Sequence, residues 1–242
     1  MAKVRANTFN GVVTAETQEE FKQLGATARK LGADTRFSGV EAAEGLDILA
    51  TAGFSAKGQM DALPGILDLA AASNESIADS AEIAASAMAQ FGLEADQMGT
   101  IGDVIAKTAQ SSQTGLLDIG EALKYAGVSA KNAGVSIQAT TAMIGALGDA
   151  GVKGSAAGTT LRSVLSSLQA PNKKGKSALQ FLGINTKDKA GNMRPIEQIL
   201  AEMDAAMDKR FGKDKNGNRR ANLLKGLFDE ANAANASLLI AK

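Results

Sequence analysis

The chain has 242 residues, 45% of them hydrophobic and 4% aromatic, enough for one large or two small globular cores and unlike a fibrous or disordered chain. Basic and acidic residues balance at 26 each, so net charge gives no case for a nucleic-acid or anionic-membrane partner. Cysteine and histidine are both absent, which excludes disulfides, thiolate nucleophiles, the usual general base near neutral pH and the commonest metal ligands.

No apolar run follows the basic residues of "MAKVRANTFN", so the start of the chain does not read as a secretory signal, and no later stretch is long and apolar enough to span a bilayer. Beyond it the apolar spacing is helical and strand-like alternation is almost missing. The pattern predicts helices over 15–31, 39–52, 56–63, 65–73, 77–91, 95–110, 115–126, 137–149, 155–169, 174–182, 195–211 and 217–240. The fold class is therefore all-α, an irregular domain of many short Ala- and Gly-rich helices.

A recurring triplet sets where these helices stop. In "TAGFSAK" Gly53 suits the left-handed residue that ends a helix, Phe54 folds back as the apolar contact, and Ser55 caps the next helix. The pattern returns at Gly92-Leu93-Glu94, Gly127-Val128-Ser129, Gly134-Val135-Ser136 and Gly183-Ile184-Asn185, with Glu94 a poorer cap, and more weakly at Gly32-Ala33-Asp34. Gly151 and Gly154 mark a further corner. Pro64 and Pro195 fit the first turn of a new helix, where a missing N–H is tolerated. Gly145, Gly148 and Gly158 permit close backbone approach, at about 1 kcal/mol per mid-helix glycine. The corners share no fixed period, which argues against a regular solenoid.

One segment departs from the helical pattern. Ile184–Lys187 and Asn192–Arg194 predict a tiny β-hairpin turning at 189–191, with Pro195 opening the next helix and "KRFGKDKNGNRRAN" forming a charged loop. Charge divides the chain as well: a helical lead-in over 1–33, an acidic core over 34–171 with 7 basic and 15 acidic residues, and a basic segment over 172–242 with 14 and 8.

Motifs with chemical potential are few. "GALGDAGVKGSAAGTT" is glycine-rich, but Lys153 precedes Gly154 and no strand leads in, so a helix corner is expected rather than a phosphate loop. "DKNGN" lacks the spacing of a calcium loop and reads as a reverse turn at Asn216-Gly217. "NKKGK" and Arg219-Arg220 are expected to be solvated, and Asp61, Asp68, Glu197 and Glu202 to lie on helix surfaces. No catalytic, cofactor-binding or metal-binding residue is assigned, and no specific nucleic-acid site is evident.

"ATAGFSAKGQMDALPGILDLAAA", "AMAQFGL", "IGEALKYAGVSAKNAGVS" and "GDAGVKGSAAGTTLRSVL" resemble, in order and spacing, the core region of phage tail tape measure proteins. The resemblance covers about residues 30 to 235. Its matching positions include Ala52 to Ser55, Leu63-Pro64-Gly65, Leu67 to Ala71, Glu121 to Ala126, Lys153-Gly154-Ser155 and Gly191-Asn192 with Arg194-Pro195, most of them corners and caps. One departure lies near the end: the family tends to show Phe-Gly, whereas here Phe228 is followed by Asp229 and Glu230.

The resemblance implies a non-enzymatic virion component, present in the host cytoplasm during assembly and then in the tail lumen. It implies roles in tail assembly, tail length and genome ejection for a phage, prophage or contractile injection system. Tail tube proteins, tail tip or baseplate proteins and tail assembly chaperones are the implied partners, with self-association and a host membrane as further ones. The chain is shorter than a whole family member, which points to an excised segment or a prophage remnant. Two other readings compete: a membrane-active helical module, against which no helix carries a strong aromatic and basic face, and an added peptidoglycan hydrolase, against which no acidic catalytic pair is evident.

Overall fold

The computed structural model describes residues 1–212 and 217–241. Among them stand thirteen α-helices: α1 (Ala2–Phe9), α2 (Ala15–Asp34), α3 (Gly39–Thr51), α4 (Ala56–Ser73), α5 (Ile77–Phe91), α6 (Met98–Ser111), α7 (Leu116–Asn132), α8 (Ile137–Asp149), α9 (Gly154–Gln169), α10 (Lys173–Leu182), α11 (Ile196–Phe211), α12 (Asn218–Phe228) and α13 (Glu230–Ile240). A 3-10 turn at Ala95–Gln97 precedes α6, and no sheet forms among the described residues. The chain divides into two compact units. Unit 1 is Met1–Gln110 with Gly115–Gly120, and unit 2 is Ser111–Thr114 with Glu121–Lys242.

Unit 1 is organised by α3, which meets α1, α2, α4 and α5. Ala42, Leu46 and Leu49 on α3 are fully buried, and the small residues Ala43, Gly45 and Ala50 let four neighbours reach one short helix. Ser38 fixes where α3 begins: its hydroxyl accepts from the Glu41 N–H at 3.2 Å while the Glu41 carboxylate accepts from the Ser38 N–H at 2.7 Å. That reciprocal cap, with its hydrogen bonds from Ser38, holds the Glu41 carboxyl below the usual range.

Three expectations change in this unit. Residues 2–9 form α1, whose Val4 and Phe9 are buried, and Asn7 Nδ2 donates to Asp47 Oδ1 at 2.8 Å. At Gly32 no corner forms, and α2 runs on to Asp34. Pro64 lies inside the single helix α4 instead of opening a second one. An interior proline removes one hydrogen bond and costs about 3 kcal/mol. The helix persists because one apolar stripe continues through it, with Ala62, Leu63, Ile66, Leu67 and Ala70 buried on the face away from exposed Pro64. Each buried Leu or Ile contributes about 1.5–3 kcal/mol, so tertiary burial outweighs the break.

Unit 2 is organised by α13, which meets α8, α9, α11 and α12. Its core includes Leu161, Val164, Leu165, Leu168, Ile199, Met203, Met207 and Phe228, all fully buried. At Gly158 any side chain is excluded: a Cβ there would stand 2.4 Å from the Ala122 carbonyl oxygen and 2.8 Å from Tyr125 Cβ. The small residue therefore sets the spacing of α9 from the second half of α7.

Further corrections fall in unit 2. Gly127 is not a corner, because α7 continues to Asn132. The predicted hairpin reduces to one antiparallel bridge between Lys187 and Met193, with Asp188 closing the turn by accepting from the Ala190 and Asn192 N–H groups at 2.9 Å. The predicted helix over 217–240 is two helices broken at Asp229, whose φ of 68 and ψ of 170 no helix allows. The expected turn at Asn216-Gly217 falls partly outside the described residues.

Candidate functional site

The corner triplets can be compared atom by atom. At Gly53, φ 90, the Gly53 N–H donates to the Ala50 carbonyl and the Phe54 N–H to the Leu49 carbonyl, both at 3.0 Å, which satisfies two end carbonyls of α3. Ser55 then accepts from the Gly58 N–H at 3.1 Å and starts α4. The same paired closure occurs at Gly134 with Val135, Gly151 with Val152 and Gly183 with Ile184, while Gly92 closes through the Leu93 N–H to the Met88 carbonyl. Gly154, φ 53, opens α9, and Pro195 stands immediately before α11. The glycine-rich segment at 145–160 is thus a turn between α8 and α9.

Gly127 shows what the triplet requires. Val135 and Ile184 are 7% and 8% exposed, so folding back buries them, whereas Val128 is 57% exposed. Without a pocket for the apolar residue the helix continues. Ala126 and Ala130 extend the buried stripe on the other face.

No reactive centre emerges from the polar groups. Among the described residues no three carboxylates stand close enough to hold a metal. Ser80 Oγ, Gln90 Oε1 and Thr114 Oγ1 are buried with no hydrogen-bond partner, yet none of the three lines either main groove. No helix among the described residues is long and apolar enough to cross a membrane.

Two residues carry more than the sequence reading assigned them. Arg220, expected in a solvated loop, is 3% exposed and pairs with Asp204 and, at 2.6 Å, with Asp208, joining α12 to α11. The signal was available: Arg220 shares the buried face of α12 with Leu224 and Leu227, and its two partners lie one turn apart on α11. Arg194 grips Glu202 with both guanidinium nitrogens and donates to the Asn185 carbonyl at 2.8 Å, tying the turn to α11. The paired hydrogen bonds raise Arg194 and lower Glu202 from their ordinary values.

What the structure does gather is charge. By sequence, unit 1 holds 8 basic and 16 acidic residues and unit 2 holds 18 and 10. The neutral chain is therefore a sum of net −8 and net +8. In unit 2 the exposed side of α10 presents Lys173, Lys174 and Lys176, and Asn172 caps the helix by accepting from the Gly175 N–H at 2.9 Å. Cations in a first turn oppose the helix dipole at about 0.3–1 kcal/mol each, so local stability does not explain them. Beside them Phe181, 46% exposed, stacks on Phe211 at 6.1 Å, and the Arg210 guanidinium lies 4.3 Å over its ring. A groove of about 700 Å³ runs between α10 and residues 184–187, with Lys176 and Lys187 among its walls.

Unit 1 offers the opposite character. A groove of about 850 Å³ opens at the Gly53 corner, walled by Ile48, Phe54, Met88 and Leu93, with Glu94 and Glu82 lining it and no cation among its lining residues. Asp96, one residue beyond the groove wall, is exposed.

The sequence profile of the phage-related minor tail proteins matches residues 14–229. A tape measure protein of Pneumococcus phage Dp-1 is 43% identical over 194 residues, 80% of this chain and 17% of that protein. A probable tape measure protein of Escherichia phage P2 is 40% identical over 229 residues, 94% of this chain and 28% of that protein. The chain thus spans well under a third of these curated relatives. No solved structure matches. The corners at Gly53, Gly92, Gly134, Gly151 and Gly183 and the glycine that sets the α7–α9 spacing all fall within the matched span, and the chain belongs to the phage-related minor tail protein family.

Proposed function

We propose that this chain is the folded body of a tail tape measure protein, a compact docking segment whose length-measuring regions lie elsewhere in the protein. The observation that carries the proposal is helix length. The longest helix among the described residues, α2, has 20 residues and spans about 30 Å. The other helices among the described residues are shorter, which supports a folded body rather than an extended ruler. The whole chain as one straight helix would extend about 360 Å, at 1.5 Å per residue.

In this reading the segment is non-enzymatic and rides in the tail lumen. It meets tail tube and tip or baseplate proteins, is escorted by assembly chaperones in the host cytoplasm, and leaves during genome ejection. In-frame deletion of these residues from the whole protein, with tail length measured by electron microscopy, tests it. Tails shortened by far less than 360 Å, or malformed at one end, are expected. Shortening by the full helical length would overturn the docking role.

A further inference from the structure

The two units carry equal and opposite net charge, and each places part of it beside an apolar feature: three lysines near Phe181 in unit 2, and Glu94 and Asp96, with Lys57 close by, at the Phe54 groove in unit 1. We propose that the basic face of unit 2 docks on the acidic face of unit 1 of a second copy of this chain. Lys173, Lys174 and Lys176 lie over Glu94 and Asp96 in that contact, and the Phe181 ring enters the groove beside Phe54.

Three observations select this partner. The net charges of −8 and +8 match in size, so a contact between unlike units neutralises both, whereas a contact between like units repels. The acidic groove has Phe54, Met88 and Leu93 in its wall, an apolar bed for an aromatic anchor. On the other side, the exposed Phe181 is held rigid by Phe211 and Arg210, so little ordering is lost when it is covered. Each copy offers one surface of each kind, and the contact closes as a two-fold dimer or continues head to tail.

The test is sedimentation velocity of the 242-residue chain at low and high salt, with circular dichroism confirming the fold of each variant. The wild type is expected to exceed the 24.7 kDa monomer mass at low salt and to return to it at high salt, because screening weakens exposed charge contacts. Lys173→Glu with Lys174→Glu and Lys176→Glu is expected to weaken self-association by about tenfold or more, as is Glu94→Lys with Asp96→Lys. Mixing the two variants restores association, because the reversed faces again complement each other. Phe181→Ala weakens it at low salt, where the wild type associates.

A wild type that stays monomeric at low salt would overturn the proposal, as would self-association indifferent to the lysine reversal. If the monomeric chain instead binds duplex DNA and the lysine reversal abolishes that, the basic face serves a nucleic acid and the second-copy contact is wrong. None of these results bears on tail length, so the inference and the docking role fail separately.

Discussion

The two units solve one packing problem with different chemistry. Unit 1 surrounds α3 with apolar faces, and its ion pairs Lys22–Glu19 and Lys57–Asp61 each join residues a single turn apart on one helix. Unit 2 gathers around α13 and ties separate elements with charge: Arg220 joins α12 to α11, Arg194 fixes the 184–194 turn to α11, and Lys225 reaches Glu230 across the Asp229 break. Exposed pairs within a helix contribute about 0.3–0.5 kcal/mol, whereas losing one member of a buried pair costs far more. Between elements, unit 1 therefore adds single hydrogen bonds to its burial, such as Asn7 to Asp47 and Arg36 to the Ala70 carbonyl, whereas unit 2 adds ion pairs.

The comparison breaks most visibly at the two hubs. Leu46→Ala leaves a cavity at the centre of unit 1 and is expected to cost about 2–5 kcal/mol, read by denaturant unfolding. Arg220→Ala strands two part-exposed carboxylates in unit 2 and is expected to cost about 2–4 kcal/mol; a cost under 0.5 kcal/mol would show that the buried pair holds nothing.

Asp229 sharpens the contrast further. Its positive φ is a glycine conformation, yet its carboxylate caps α13 through the Asn232 N–H at 2.9 Å and accepts from Ser163 at 3.3 Å. Asp229→Ala keeps the strain and loses the cap, an expected loss of about 1–2 kcal/mol by thermal unfolding. Asp229→Gly relieves the strain and is expected to be milder. If alanine proved the milder of the two, the capping account would fail.

Acid gives the smallest of these effects. Partial burial pushes Asp229 up, but the hydrogen bonds from Asn232 and Ser163 outweigh it and hold the carboxyl below its usual value. Glu202 and Glu230 are lowered by the hydrogen bonds from Arg194 and Lys225, and Glu41 in unit 1 by those from Ser38. A lowered folded pKa gives stability that is fully present above the ordinary carboxylate pKa and is lost as pH falls through the folded value. Acidification below about pH 4 is expected to loosen unit 2 before unit 1, since it holds three of these four carboxylates. Hydrogen exchange resolved by residue measures the order, and simultaneous loss would contradict it.

Much of this fold was legible in the sequence because corners are local. Gly53, Gly92, Gly134, Gly151 and Gly183 each need only a left-handed residue and an apolar neighbour to cover. What stayed hidden depends on distant partners. Gly127 and Pro64 lie within helices because stripes buried against other elements override local breakers. Arg220 looked solvated because its carboxylate partners are 12 and 16 residues away in sequence. The division of charge at residues 171 and 172 does not follow the units, because buried residues of unit 2 such as Ala122, Ile144, Leu161 and Leu165 lie in α7 to α9, well before that point.

The central claim, that this chain is carried as a folded body inside the tail, is tested most directly by protease protection in purified tail particles. Peptides from these residues are followed by mass spectrometry before and after triggered discharge. The account predicts shielding before discharge and digestion after it. Absence from the particles, or equal exposure in both states, would contradict it.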